Sequence, residues 1–369
     1  MTTPHIAYLE KMMGRAIALA RKGVGRTSPN PPVGCVIVRE GEIVGRGWHR
    51  KAGTPHAEVH ALREAGELAR GADLFVTLEP CSHFGKTPPC CDALIAAHVG
   101  RVYAGMVDPN PRVSGEGIAR LRAAGIPTYP GLLETHCRRL NGPFIKQITT
   151  ALPFVTVKSA LTLDGKTATA SGDSQWITGE QARLYVHRLR AEHDALMVGV
   201  ETVRADDPQL TCRLPRGGRD PLRVVVDSRL RTPPDARLFG VASTAPTLIA
   251  TVEQAEGRLA PFRALGAELI ICREEGGRVD LPDLLCQLGQ RGVQSLLVES
   301  GGELAGALLR QGLIDRLILF YGAKLVGGEG RAPFAGVGVE KMSQATRLEE
   351  IEVRRFGDDL MVSGYLSRW

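Results

Sequence analysis

The stretch PHAEVHALREAGELARGADLFVTLEPCSHFGKTPPCC, residues 55–91, decides how the first half of the chain is read. Apolar residues at helical spacing predict a helix over Ala57–Ala69. The β-prone run DLFVTL follows and ends at Glu79-Pro80-Cys81. A loop rich in Gly and Pro then leads to a second helix from Cys91 to His98. Helix, strand, loop and helix in that order form the repeating unit of a layered α/β domain.

Working outward from it, Ile6, Leu9, Met13, Ile17 and Ala20 predict an amphipathic helix over residues 5–22. PPVGCVIVREGEIVGRGWH reads as a hairpin: strand Val33–Val38, a turn at Glu40-Gly41, strand Ile43–Gly47. Downstream, RVYAGM is a strand, GEGIARLRAAG a helix and PTYPGLL a short strand. Around NGPFIKQITTALP the pattern resets, and a second alternating series of strands and helices runs from FVTVKSAL to RLILFYGAKLV. Two α/β domains are expected, residues 1–150 and 151–369, in keeping with a chain of 369 residues.

Composition narrows the function. Hydrophobic residues make up 43% and charged residues 23%, as in globular proteins, and no apolar run is long enough to cross a bilayer. The first residues mix charges with apolar positions, unlike a signal peptide. Eight cysteines without a dense framework point to a reducing, cytoplasmic setting. The net charge of +6 is spread along the chain without a basic block, which argues against a nucleic-acid tail and is compatible with small anionic substrates.

The quoted stretch also carries metal chemistry. A catalytic zinc takes three protein ligands and keeps a fourth position open. His56, Cys81 and Cys90 can supply them, each expected near the start of a helix, where unpaired N–H groups and the helix dipole favour a thiolate. Two thiolates and a neutral imidazole balance the charge of a divalent ion. Glu58 is not needed as a ligand; a carboxylate beside the open position can move a proton from water to a leaving amine. The H-x-E…P-C-x-x-C signature of zinc nucleobase deaminases is matched by HAE and PCS, but eight residues instead of two separate Cys81 from Cys90. A closed structural site would recruit Cys91, His60 or His83 as a fourth ligand. Spacing alone does not choose between Cys90 and Cys91. His49 and His60 read as surface or packing residues, and Cys35 as core.

HAEVHAL with TLEPCSHFGKTPPCCDALI resembles the bifunctional riboflavin-biosynthesis deaminase/reductases, among which the SHFGKTPP insertion is distinctive. TSPNPPVGCVIV, VKSALTLDGKTATASGDSQWIT, VGVETVRADDPQLTCR and VESGGELAGALL extend the resemblance over nearly the whole chain. It implies a cytidine-deaminase-like three-layer α/β/α domain followed by a dihydrofolate-reductase-like α/β domain. It implies one Zn2+ per chain on His56, Cys81 and Cys90, with Glu58 as proton shuttle. The first domain would replace the 2-amino group of a diaminopyrimidinone bearing a phosphoribosylamino group with oxygen. The second would reduce the ribosyl part to ribityl with NADPH. A homo-oligomer, a dimer or tetramer, is expected.

Further site residues follow from chemistry and resemblance together. Asn30, in a Pro-rich turn, can pair with a base edge or ribose hydroxyl, or serve the turn alone. His83 and Lys86 in the insertion can meet a phosphate. In the second domain, SLLVESGGELAGALLRQG is a strand, two glycines and a helix whose start can hold a pyrophosphate; it is not a Rossmann G-x-G-x-x-G. The resemblance places NADP on Gly301, Gly302, Glu303, Leu304, Ala305, Gly306 and Ala307, and substrate on Glu299. Lys158 and Ala160 share one strand face and are both read as cofactor positions, with Ala160 towards the nicotinamide and Lys158 otherwise a substrate or proton-handling group or a strand-end lysine. Ser174 for substrate and Trp176 for NADP lie in a polar loop. Arg190 and Arg213 suit the substrate phosphate. Thr202, Asp206 and Leu210 are read as one loop, the first two for NADP and Leu210 for substrate, and Ser228 at a strand end contacts the cofactor. Two other classes compete. A nucleic-acid deaminase would want stacking aromatics, which are only 5% here, and would leave the second domain unexplained; a structural zinc protein with a degenerate enzyme fold would hold zinc without releasing ammonia.

Overall fold

The computed structural model describes residues 3–84, 88–111 and 113–366. Its contacts divide the chain into two compact units, Met1–Thr150 and Ala151–Trp369.

In the first unit the elements are α1 (Thr3–Ala20), β1 (Gly34–Arg39), β2 (Glu42–Trp48), α2 (Ala57–Ala65), β3 (Asp73–Val76), α3 (Cys90–Ala96), β4 (Arg101–Ala104), α4 (Glu116–Ala123), β5 (Thr128–Pro130), α5 (Glu134–Leu140) and α6 (Gly142–Thr150). The sheet order is β2-β1-β3-β4-β5. β1 runs antiparallel to both neighbours, while β3, β4 and β5 are parallel. β3 buries Leu74, Phe75 and Val76 completely, the continuous apolar run of a strand covered on both faces. α2 lies against β2 at backbone distance. A Cβ on Gly47 would sit 2.0 Å from the Ala57 carbonyl oxygen, and one on Gly45 2.3 Å from that of Ala61. Two glycines at alternate positions of one strand thus seat the helix whose first turn carries the site.

The second unit contains β6 (Phe154–Thr162), α7 (Glu180–Glu192), β7 (Ala195–Gly199), α8 (Val200–Asp206), β8 (Leu222–Val226), β9 (Thr247–Thr251), α9 (Glu256–Ala264), β10 (Ala267–Ile271), β11 (Glu274–Glu275), β12 (Arg278–Val279), α10 (Leu281–Gln290), β13 (Ser295–Val298), α11 (Gly302–Arg310), β14 (Arg316–Gly322), β15 (Glu349–Phe356) and β16 (Asp359–Tyr365). Its sheet has the order β10-β9-β8-β7-β13-β6-β14-β16-β15, parallel from β10 to β14 and closed by an antiparallel hairpin. Apolar cores fill both faces of the central strands.

The structure corrects four local readings. Residues 200–206 form α8, so Thr202 and Asp206 stand on a helix and not in a loop. Residues 66–69 tighten into a 3-10 turn after α2 ends at Ala65. Cys81 follows β3 in an irregular segment and does not open a helix. The terminal hairpin β15–β16 was not expected from the sequence.

Candidate active sites

In the first unit, the start of α2, the segment after β3 and the start of α3 converge. His56 is the N-cap of α2 with extended backbone, Glu58 lies in the first turn, and Cys90 is the first residue of α3. Nδ1 of His56 is 3.2 Å from Cys90 Sγ and 3.5 Å from Cys81 Sγ. The three ligand atoms all lie within 4.8 Å of one another. A tetrahedral zinc with bonds of about 2.0–2.3 Å gives ligand–ligand edges of roughly 3.5–3.8 Å, so the trio fits the ion in size as well as in donor type. Among the described residues it is the one such cluster, and it offers three ligands. His60 and His83 stand outside it. Cys91, buried, donates to the carbonyls of Pro80 at 3.3 Å and Gly117 at 3.5 Å and is turned to the interior.

The electrostatics separate the groups. The hydrogen bond from Cys90 pulls the Cys81 thiol down to about 4, and the Cys90 backbone N–H adds a further bond at 3.3 Å. Cys90 is pushed up as the proton-holding partner of that bond. Glu58 is buried; burial, followed by the charge of Cys81, raises it to about 7 against the opposing pull of His56.

Two residues around this site went unrecognised in the sequence. Glu79, buried between the Cys81 segment and α4, accepts backbone N–H bonds from Asp108 (3.0 Å), Gly115 (3.0 Å), Gly117 (2.8 Å) and Ile118 (3.2 Å). Its carboxylate satisfies the first N–H groups of α4 and so fixes the backbone that leads to Cys81. Only the EPC tripeptide hinted at it. His49 is not a surface residue. It is buried, stands edge-on to His56 with ring centroids 5.3 Å apart, and bonds the Pro55 carbonyl through Nδ1 at 3.3 Å. Its Nε2 is 3.1 Å from the Asn30 amide nitrogen. A neutral ring that donates from Nδ1 must accept at Nε2, which assigns the Asn30 amide N–H to His49. His83 is exposed, and Lys86 lies outside the described residues.

In the second unit a charged nest forms where β6, α7 and β13 meet. Arg190 grips the Glu299 carboxylate with both arms of its fork, Nε to Oε1 at 2.8 Å and Nη2 to Oε2 at 3.0 Å. Lys158 Nζ reaches Glu299 Oε2 at 3.5 Å. Burial is the largest influence on Glu299 and raises it, but the charges and hydrogen bonds of Arg190 and Lys158 together hold it at about 2. Arg213 is exposed and donates to Thr211 Oγ1 at 3.2 Å. Two cations contact the carboxylate, and the exposed Arg213 adds a third positive charge within its field, so the group is net positive.

The other positions lie on β6 or follow β6, β7, β8 and β13, strands in the interior of the sheet. Ala160 is half-buried on β6, and Ser174 is half-buried in an irregular loop. Trp176 is 60% exposed under the Arg183 guanidinium, 4.7 Å from its ring centroid. Ser228 Oγ accepts the Val279 N–H at 3.0 Å, so it also anchors β12. Leu210 is buried in the core, at a positive φ of 55°. Gly301 caps α11 without a side-chain cap and faces open space. Gly302 and Gly306 instead make room for a strap, since their Cβ atoms would meet the carbonyls of Ala332 at 2.5 Å and Ala335 at 2.0 Å. Ala305 and Gly306 are buried, Leu304 and Ala307 half-buried, and Glu303 is exposed, paired with Arg278 at 3.2 Å.

Residues 153–362 match the RibD C-terminal domain, and residues 7–106 match the cytidine and deoxycytidylate deaminase zinc-binding region. The riboflavin biosynthesis protein RibD of Escherichia coli K12 is 46% identical over 363 residues, covering 95% of this chain and 97% of its own. The chain belongs to the RibD family. RibD of Actinobacillus pleuropneumoniae is 45% identical over 351 residues, 95% of this chain and 93% of its own. Among solved structures, Acinetobacter baumannii RibD (form 1) superposes with a TM-score of 0.87 at 38% identity, covering 98% of this chain and all of that one. A Thermotoga maritima diaminohydroxyphosphoribosylaminopyrimidine deaminase/5-amino-6-(5-phosphoribosylamino)uracil reductase gives 0.86 at 36%, with coverage of 98% and 100%. As a RibD-family protein the chain is a bifunctional deaminase and reductase of riboflavin biosynthesis, with a cytidine-deaminase-like N-terminal domain and a RibD reductase C-terminal domain. No helix among the described residues is long and apolar enough to cross a membrane.

Proposed function

We propose that residues 1–150 hydrolytically deaminate 2,5-diamino-6-(5-phosphoribosylamino)pyrimidin-4(3H)-one, and that residues 151–369 reduce the ribosyl group of the product to ribityl with NADPH. The observation that carries this reading is the three-ligand cluster with a buried carboxylate beside it. His56, Cys81 and Cys90 would hold one zinc per chain. When bound, zinc acts as a Lewis acid and lowers the pKa of water at its open position. Glu58, buried on the first turn of α2 beside the three ligands, is the group placed to take up and release a proton. Burial keeps its proton from bulk water and directs it to the leaving amine. Asn30, oriented by His49, presents its amide oxygen to a donor on the substrate. His83 and Lys86 are the phosphate partners in this domain.

Zinc has no redox chemistry, so the second step needs a hydride donor. The uncapped first turn of α11 fits the pyrophosphate of a nicotinamide cofactor, with Gly301 open for close approach and Glu303, Leu304 and Ala307 beside it. Ala160, Trp176, Thr202, Asp206 and Ser228 complete the cofactor's surroundings. Arg190, Arg213, Lys158, Glu299 and Ser174 face the substrate, and the net positive nest matches its phosphate. All eight cysteines are free, as a reducing cytoplasm would keep them. β15 ends the sheet with Ile351 60% and Val353 61% exposed, a surface suited to a second copy in a homo-oligomer. Incubation of the full chain with the diaminopyrimidinone, with and without NADPH, tests the proposal. Deaminated product alone is expected without NADPH, and the ribityl product with it. Failure to release ammonia would overturn the first half, and failure to oxidise NADPH on the deaminated compound the second.

A further inference from the structure

Three consecutive residues, Thr211, Cys212 and Arg213, have no regular secondary structure and follow Leu210 at a positive φ of 55°. One face of α7 holds all three. Arg190 Nη1 donates to the Thr211 carbonyl at 3.0 Å. Cys212 Sγ donates to the His187 carbonyl at 3.4 Å. The Arg213 N–H donates to His187 Nδ1 at 3.3 Å. His187 and Arg190 are one turn apart, so a single helix surface carries both the Glu299 fork and the grip on this segment. A backbone N–H can be received only by an unprotonated ring nitrogen, and the surroundings keep the ring neutral. Burial first, then the charges of Arg190 and Arg213, lower His187 to about 4.

We infer that His187 is a positioning residue of the reductase site: its Nδ1 fixes the Thr211–Arg213 backbone so that Arg213 is aimed at the phosphate of the substrate. The inference rests on the proposed role of Arg213. A long arginine on an unsupported segment would have to be ordered anew each time an anion bound, and that ordering would be subtracted from affinity. The clamp removes the cost in advance. It acts on binding of the phosphate and not on hydride transfer.

The test uses the full chain, the deaminated phosphoribosylaminopyrimidine and its dephosphorylated analogue, with NADPH oxidation as readout. Loss of one hydrogen bond of this kind corresponds to about tenfold in binding. His187→Leu is therefore expected to raise KM for the phosphorylated substrate about tenfold, while kcat and KM for NADPH stay within about twofold. On the dephosphorylated analogue it should match wild type, which a general loosening of the unit would not allow. His187→Asn, whose Oδ1 stands close to the lost Nδ1, should bring KM back to within about twofold of wild type. Should His187→Leu lose NADPH binding altogether, His187→Gln carries the same test, because its oxygen lies one methylene too far out. Arg213→Gln separates the inference from the reading beneath it. If Arg213→Gln raises KM but neither His187→Leu nor His187→Gln does, the positioning role is wrong. If Arg213→Gln itself leaves KM unchanged, the phosphate assignment falls and the inference with it.

Discussion

Glu58 and Glu299 are both withdrawn from water, and they are driven in opposite directions. Glu58 is 3% exposed and rises to about 7; the Glu299 side chain is 10% exposed and falls to about 2. Burial raises both. The difference lies in what faces them. Glu58 looks at a thiolate, which repels a second negative charge, whereas Glu299 looks at a guanidinium fork and an ammonium. The first arrangement, before any ion is bound, raises the carboxyl group towards neutrality. The second makes a permanent anion that orders Arg190 and Lys158 and leaves the surplus positive charge for a ligand. Equal burial therefore says nothing about role until the neighbours are counted.

The most drastic way to break the comparison is to take a ligand from the cluster beside Glu58. Cys90→Ser should strip most of the zinc from the purified chain, while Cys91→Ser, with its side chain directed to the Pro80 and Gly117 carbonyls, should keep it. Metal analysis of both proteins decides the matter; retention in Cys90→Ser with loss in Cys91→Ser would reverse the assignment. Glu58→Gln comes next. It should bind zinc normally, yet release ammonia roughly 10²–10⁴ times more slowly. Its NADPH oxidation on supplied deaminated compound should equal wild type, because the second unit buries its own core.

Breaking the other carboxylate's partnership is a matter of stability. Arg190→Ala leaves the Glu299 charge buried with only Lys158 near it, and loss of one partner of a buried pair costs about 3–5 kcal/mol. Denaturant unfolding of the full chain should show that loss, and a second substitution, Glu299→Leu, should recover part of it. A stability unchanged by Arg190→Ala would mean that the fork is open to water. The sign with pH follows from the depressed pKa: the pair's contribution is complete above the ordinary carboxylate range near 4.5 and is lost as pH falls towards about 2.

The two sites also differ in how much of each was legible. The zinc trio and Glu58 lie within residues 56–90, so their spacing carried the chemistry. What separates Cys90 from Cys91 did not, because it depends on the Gly117 carbonyl, 26 residues further on. Glu79 escaped for the same reason, its donors being spread over residues 108–118. In the second unit Lys158, Arg190 and Glu299 were each named, but not their pairing. Glu299 is 141 residues from Lys158 and 109 from Arg190, and only the strand order β13-β6 brings them together. α8 passed for a loop because it is short, rich in Val, Thr and Asp, and stopped by Pro208, all weak helix signals. The hairpin β15–β16 was missed because EEIEVRRF carries charges on both faces of an exposed edge strand, which blurs the alternation.

The finest test of the contrast between the sites is the titration of His187. Burial first, then the charges of Arg190 and Arg213, with Glu299 and the Thr211 carbonyl opposing them, hold it at about 4 where an ordinary histidine titrates at 6.5. Protonation would place a third positive charge against the two arginines and withdraw the acceptor of the Arg213 N–H. The folded state thus binds its proton less readily than the unfolded chain. Stability from this group is present above 6.5 and is lost as pH falls from there towards 4. In a spectrum of the histidine Cε1 protons, assigned by comparison with His187→Asn, the His187 signal should stay in place from pH 8 to about 5 and move only below. Arg213→Gln removes one of the two repelling charges and should bring the midpoint back towards 6.5. A midpoint near 6.5 in the unaltered chain would mean that neither burial nor the arginines act on the ring, and a midpoint that does not rise in Arg213→Gln would take the electrostatic ground from the phosphate reading.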